Sequence, residues 1–161
     1  GITVTPIQLA QAYSVIANNG LYTPLSLRKG LFNESKRVIN EDTAKTLLSM
    51  LEKVVEDGTS KKAAVNGYRV GGKSGTAWKT SGAGGYSTDR YRSIFAGIAP
   101  IDDPRLVAVV FIEEPTGEFY YGGDVAAPVF SEIISQSLQL LSIPPQGFIT
   151  KPDLVADNKN D

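Results

Sequence analysis

The sequence contains no histidine and no cysteine, and only one methionine and one tryptophan. Without imidazole, a Ser-His-Asp triad and a histidine-ligated zinc site are both excluded. Without a thiol, cysteine nucleophiles and disulfides are excluded too, although the lack of cysteine does not by itself fix a compartment. A strong charge of one sign is also missing, since 16 basic and 17 acidic residues, interspersed, leave a net charge of −1. Nothing therefore invites nucleic acid or an anionic membrane surface. No apolar run is long enough to span a bilayer, and no secretory pattern opens the chain. The first residues, Gly1-Ile2-Thr3-Val4-Thr5, carry no initiator methionine, which suits a piece cut from a longer protein with any targeting segment removed. No feature calls for a cofactor or a metal.

What is present suffices for one core. At 161 residues and 42% hydrophobic content, the chain fits one domain or part of one. Thr5-Pro6 reads as an N-cap and first helical residue; Leu9, Tyr13 and Ile16, beside Ala10 and Ala17, form an apolar face that stops at Gly20. Residues 21–38 read as irregular or briefly extended. A second helix is predicted from Asn40 to Gly58, with Glu41 and Asp42 in its first turn and a buried stripe of Ala44, Leu47, Leu48, Leu51 and Val55. Strands are predicted over residues 68–78, 91–99 and 105–113. The last two are joined by Pro100-Ile101-Asp102-Asp103-Pro104, which favours an antiparallel hairpin. A final helix over 124–141 carries Val125, Phe130, Ile133, Ile134, Leu138 and Leu141, and Pro144-Pro145 ends it. The reading is an α+β fold, an antiparallel sheet flanked by helices, over residues 1–143, followed by a polar tail over 144–161.

The chemistry concentrates in Lys73-Ser74-Gly75-Thr76. A cation, two hydroxyls and a bare glycine on extended backbone can hold a carboxylate while a substrate main chain approaches closely. Strand alternation sends Lys73 and Ser74 to opposite faces, so both serve one cleft only where the strand lies at a sheet edge and twists. Gly67-Tyr68-Arg69-Val70-Gly71-Gly72-Lys73-Ser74 also satisfies the phosphate-loop pattern G-x-x-x-x-G-K-[ST], and the run 106–113 ending in Glu113-Glu114 resembles the acidic strand that accompanies such loops. That mechanism needs a buried strand before the loop and a helix after it. Ser60-Lys61-Lys62-Ala63-Ala64 before it, and Gly75, Gly82, Gly84 and Gly85 after it, argue against both. Ser26-Leu27-Arg28-Lys29 is a literal S-x-x-K, yet Thr23-Pro24 before it and Gly30 after it deny it the helix start that such a nucleophile needs. It reads as a solvated loop.

In these surroundings, Lys73 to Thr76 resembles the third motif of the penicillin-recognising serine enzymes, K-[ST]-G-[ST], which there accompanies S-x-x-K and S-x-N. Tyr68-Arg69-Val70 leads in; Phe95-Ala96-Gly97-Ile98-Ala99-Pro100 and Leu106 to Pro115 resemble the family's next two strands. Tyr120-Tyr121-Gly122-Gly123 and Ala126-Ala127-Pro128-Val129-Phe130 are similar to the start of its last helix. Val4 to Ala10 and Ala17-Asn18-Asn19-Gly20 are similar to the helix after the S-x-N region. The resemblance covers residues 1–143 and is closest to class B penicillin-binding proteins of the cell-division, penicillin-binding protein 3-like type. It implies the serine β-lactamase/penicillin-binding transpeptidase fold and a peptidoglycan D,D-transpeptidase. In that family a serine attacks the penultimate D-Ala carbonyl of a stem peptide, D-Ala leaves, and an amine on a neighbouring strand takes the acyl group. β-Lactams acylate the same serine. The resemblance further implies division-machinery partners and a place on the periplasmic side of the bacterial inner membrane, held by an N-terminal helix that this sequence does not include.

Carried over residue by residue, Lys73 would supply positive charge for the substrate's terminal carboxylate and for proton traffic, a contact contributing ~1.5–3 kcal/mol. Ser74 and Thr76 would donate hydroxyls to that carboxylate, and the Thr76 backbone N–H would be one of two oxyanion donors, each worth ~10²–10³ in rate. Gly75 would keep the strand bare for an extended peptide, while Tyr120 and Tyr121 would wall the pocket. Trp78 stands where a small or basic residue is expected and would pack over the rim. Gly82 to Gly85 would form a mobile loop between the first two strands. The S-x-x-K and S-x-N segments would lie before residue 1, so the chain alone is expected to be inactive and to self-associate through uncovered apolar surface and cut sheet edges. Two other classes fit parts of the sequence: a phosphate-loop nucleotide-binding protein, and a non-catalytic module binding wall peptide or a division partner at the sheet edge.

Overall fold

The computed structural model describes residues 3–31, 33–80 and 85–145. Its elements are α1 (Pro6–Ala17), β1 (Leu21–Tyr22), β2 (Lys36–Arg37), α2 (Glu41–Glu56), β3 (Gly71–Thr80), β4 (Tyr86–Ala99), β5 (Leu106–Glu113) and α3 (Gly122–Leu140). A short 3-10 turn at Lys61–Ala63 links α2 to β3. β1 and β2 form a small ribbon, while β3, β4 and β5 form one antiparallel three-stranded sheet in that order. The fold is α+β, and β3 lies at its edge. Of the expected loop Gly82–Gly85 and the expected tail 144–161, residues 82–84 and 146–161 lie outside the described residues.

Local chemistry sets the helix starts. The Thr5 hydroxyl accepts from the Gln8 amide while the Gln8 side chain accepts from the Thr5 N–H at 2.8 Å, a reciprocal cap worth about 1 kcal/mol. Asn40 caps α2 by accepting from the Thr43 N–H at 2.7 Å. β3 begins at Gly71 rather than at residue 68, because Val65 and Tyr68 instead close a turn at Gly67, whose φ of +81° suits glycine. α3 begins at Gly122, earlier than the expected residue 124, and stops at Leu140. Ile133 and Leu141, expected in its apolar stripe, are exposed.

Alternation along β4 divides the core. Phe95 and Ala99 join Val110 of β5 and the α3 residues Ala126, Ala127, Phe130, Ile134 and Leu138 on one face. Ile98 joins Leu48, Ile101 and the α1 residues Tyr13 and Ile16 on the other. Phe95 and Phe130 meet with centroids 4.8 Å apart, and each fully buried aromatic contributes roughly 1.5–3 kcal/mol. The α2 stripe holds one surprise: Glu52 is buried among its apolar neighbours. Arg69 grips its carboxylate with two bonds, at 2.5 and 2.6 Å, and also reaches Asp102. One guanidinium thus ties α2, the approach to β3 and the β4–β5 connection.

This architecture gives the nucleotide-binding alternative no support, as the residues around the motif led one to expect. Residues 71–80 form a strand, and no helix starts at Lys73. Glu113 and Glu114 are engaged with Lys79 at 2.9 and 2.6 Å, and Arg92 holds Glu113 at 2.6 Å. Among the described residues, no helix is long and apolar enough to cross a membrane.

Candidate active site

The edge position of β3 opens a cleft of about 400 Å³ beside it. β3 contributes Lys73, Ser74, Gly75 and Thr76; the start of α3 contributes Tyr121 to Asp124; Thr59 completes it from the α2–β3 connection. β3 meets the edge condition for Lys73 and Ser74 to share one cleft. Alternation is kept, but the exposed Lys73 side chain curls around the open edge, and its Nζ donates to the Ser74 carbonyl at 2.8 Å and to Ser74 Oγ at 3.4 Å. No carboxylate pairs with Lys73 among the described residues. Its charge remains available for an anion.

Ser74 and Thr76, two residues apart, face the start of α3. Thr76 Oγ1 accepts from the Gly122 N–H at 3.1 Å. Gly122 is wedged against the sheet: a Cβ there would lie 2.3 Å from the Ile94 carbonyl oxygen and 2.5 Å from that of Gly75. Only glycine lets the helix come so close. The aligned α3 peptides therefore present their positive end, equivalent to roughly half an elementary charge, at the cleft. Asp124 in the first turn opposes this in part, but Lys62 holds its carboxylate at 2.8 Å.

The predicted tyrosines divide in role. Tyr121 is exposed and lines the cleft. Tyr120 does not line it; its ring lies behind, stacked on Tyr91 with centroids 4.1 Å apart and 4.5 Å from the Tyr121 ring. The Tyr120 hydroxyl meets that of Tyr121 at 3.2 Å, and this contact is the main reason its pKa is pushed up to about 12. Trp78 is exposed and sits opposite Tyr91 in the β3–β4 register, and it does not line the cleft.

Sequence reasoning did not single out Thr59, the α3 amide end or Ser93. The pair Gly122-Gly123 held the signal for the second, since two glycines at the start of a helix permit close approach to a sheet. Ser26 lies elsewhere, in a loop where its hydroxyl accepts from the Arg28 N–H at 3.0 Å and donates to the Arg28 carbonyl at 3.2 Å. No helix starts there, so it lacks the setting of an activated serine.

Comparison with known proteins agrees with this geometry. Residues 1–135 match the family described as "Penicillin binding protein transpeptidase domain". The chain is 46% identical over 161 residues to the "Probable peptidoglycan D,D-transpeptidase PbpC" of Pseudomonas aeruginosa, covering 99% of this chain and 28% of that protein. It is 40% identical over 152 residues to the "Peptidoglycan D,D-transpeptidase FtsI" of Escherichia coli K12, covering 93% and 26%. Among solved structures it superposes on the transpeptidase domain of Burkholderia pseudomallei penicillin-binding protein 3 with a TM-score of 0.79 and 44% identity, over 88% of this chain and 44% of that one. The chain thus spans about a quarter of the length of these curated relatives. With its edge-strand K-S-G-T, its sheet order and its last helix all in place, the chain belongs to the penicillin-binding protein transpeptidase family.

Proposed function

We propose that this chain forms the carboxylate and oxyanion side of a peptidoglycan D,D-transpeptidase active site whose acylated serine lies outside these residues. The observation that carries the reading is the cleft itself. An ammonium without a carboxylate partner among the described residues, two hydroxyls and a helix N-terminus converge on the open edge of β3. Lys73, Ser74 and Thr76 hold the terminal carboxylate of a D-Ala-D-Ala stem peptide. The Thr76 N–H donates to the oxygen that becomes negative when the serine attacks the penultimate carbonyl. Gly75 leaves room for the peptide backbone, and Tyr121 walls the site. D-Ala departs, the acyl-serine ester forms, and the amine of a second stem attacks it. β-Lactams occupy the same cleft through their own carboxylate. The relatives named as transpeptidases favour this catalytic reading over a non-catalytic wall-binding module. Membership of a cell-wall enzyme family supports a complete protein that acts on the periplasmic side of the inner membrane, and the family resemblance supports division-machinery partners.

Acylation of the full-length protein by a fluorescent penicillin tests the reading. Lys73→Met should lower the second-order acylation rate about 10–100-fold, as expected for a lost charge-assisted bond. An unchanged rate would refute it. The 161-residue chain alone should give no covalent adduct by intact mass, and an adduct at Ser26 would overturn the assignment.

A further inference from the structure

Two neighbouring strands of the sheet grip the start of α3 from one face. Ser93 on β4 sits directly opposite Thr76 in the β3–β4 register. It is fully buried, and its hydroxyl donates to the carbonyl of Tyr120. Thr76, its partner across the ladder, accepts from the Gly122 N–H at 3.1 Å. The segment Tyr120–Gly122 is therefore fixed at its carbonyl end by Ser93 and at its amide end by Thr76. Between these points, Gly122 rests on the backbones of both strands. The consequence falls on the Thr76 proton. Because Thr76 Oγ1 accepts from Gly122, its own hydrogen must point elsewhere, and the exposed side of Thr76 is the cleft.

We propose that Ser93 is a positioning residue: by anchoring the Tyr120 carbonyl it holds the Gly122 N–H against Thr76 Oγ1, so that the Thr76 hydroxyl acts as a committed donor to the ligand's carboxylate. This rests on the carboxylate reading of the cleft given above. Without the Ser93 hydroxyl, the Tyr120 carbonyl loses its bond, the start of α3 is freed to shift, and Thr76 can turn its proton away. The carboxylate-dependent part of recognition weakens, while contacts to the rest of the ligand persist.

The discriminating experiment compares acylation of the full-length protein by benzylpenicillin and by its methyl ester, which lacks the anionic group. The ratio of the two rates measures what the carboxylate contributes. Ser93→Ala should lower that ratio about tenfold, and Ser93→Cys, which keeps the volume but donates weakly, should lower it similarly if the alanine variant does not fold. Ser93→Thr, which retains the hydroxyl, should restore much of it. Lys73→Met serves as the control for the underlying reading. A fall in both Ser93→Ala and Lys73→Met supports the clamp. A fall in Lys73→Met alone overturns the role of Ser93 and leaves the cleft assignment standing. No change in either overturns both.

Discussion

The two ends of β3 use glycine for opposite reasons. At the closed end, a Cβ on Gly71 would lie 2.9 Å from the Glu52 backbone nitrogen, and one on Gly72 would lie 2.5 Å from the Phe95 ring and 2.6 Å from the Ala96 carbonyl oxygen. These residues are bare because α2 and the sheet core press on them. At the open end, a Cβ on Gly75 would meet only the Ile94 Cβ, at 3.9 Å, an ordinary contact. Its backbone is not in the left-handed region either. Folding does not require glycine at 75. On the proposed function, glycine at this position leaves space above the strand for the ligand backbone. Two glycines only three positions apart thus differ in whether packing demands them.

The largest expected effect probes the closed end. Gly72→Ala forces a methyl into a rigid ring and a backbone oxygen, so it should cost about 3 kcal/mol, at the upper end for overpacking. For a domain of this size that lowers the thermal midpoint by roughly 6–12 °C. A drop of less than about 2 °C would show that Phe95 can yield, and the contrast with Gly75 would fail. Next comes Arg69→Ala, which leaves the Glu52 carboxylate buried without its bidentate partner. Stripping a fully buried pair costs 3–5 kcal/mol, but the Arg69 side chain is 54% exposed, so about 2 kcal/mol is expected by urea unfolding. Adding Glu52→Gln should recover part of the loss, since a neutral amide tolerates burial better than a carboxylate.

How much of this was legible in the sequence follows from how local each feature is. The cap at Thr5, the helix start near Asn40 and the stripe from Ala44 to Val55 depend on residues a turn apart, so pattern alone located them. Burial of Glu52 was not legible, because its justification, Arg69, lies 17 residues further on. The start of α3 was misplaced because Tyr121 enters the helix without a side-chain cap, leaving the acidic Asp124 as the visible signal. Lys73 stood out through its motif. The opposite wall of the cleft did not, because the bond between Gly122 and Thr76 spans 46 positions and involves a backbone amide that any residue possesses. Ser93, one hydroxyl among several polar residues in the first part of β4, carried no local mark that set it apart.

At the open end, Gly75→Ala should leave stability within about 0.5 kcal/mol, as for substitutions that meet no packed neighbour. Acylation by a penicillin should nevertheless fall about tenfold, equivalent to 1.4 kcal/mol at the transition state. If stability falls with activity, the open end is under the same packing constraint as the closed end.

The smallest effect concerns Ser60, beside the cleft residue Thr59. Its hydroxyl is fully buried and has no hydrogen-bond partner among the described residues. Burying a hydroxyl without a partner costs free energy, whereas an alanine methyl at the same place does not. Ser60→Ala should therefore leave stability unchanged or raise it by up to about 1 kcal/mol, a gain of roughly 2–4 °C in thermal midpoint. Ser93, equally buried, has the Tyr120 carbonyl as its partner, so its alanine variant should shift the midpoint in the opposite direction. A loss of stability in Ser60→Ala would mean that the ground behind the cleft is held by a polar bond, and the open end would then depend on interior ties as the closed end does.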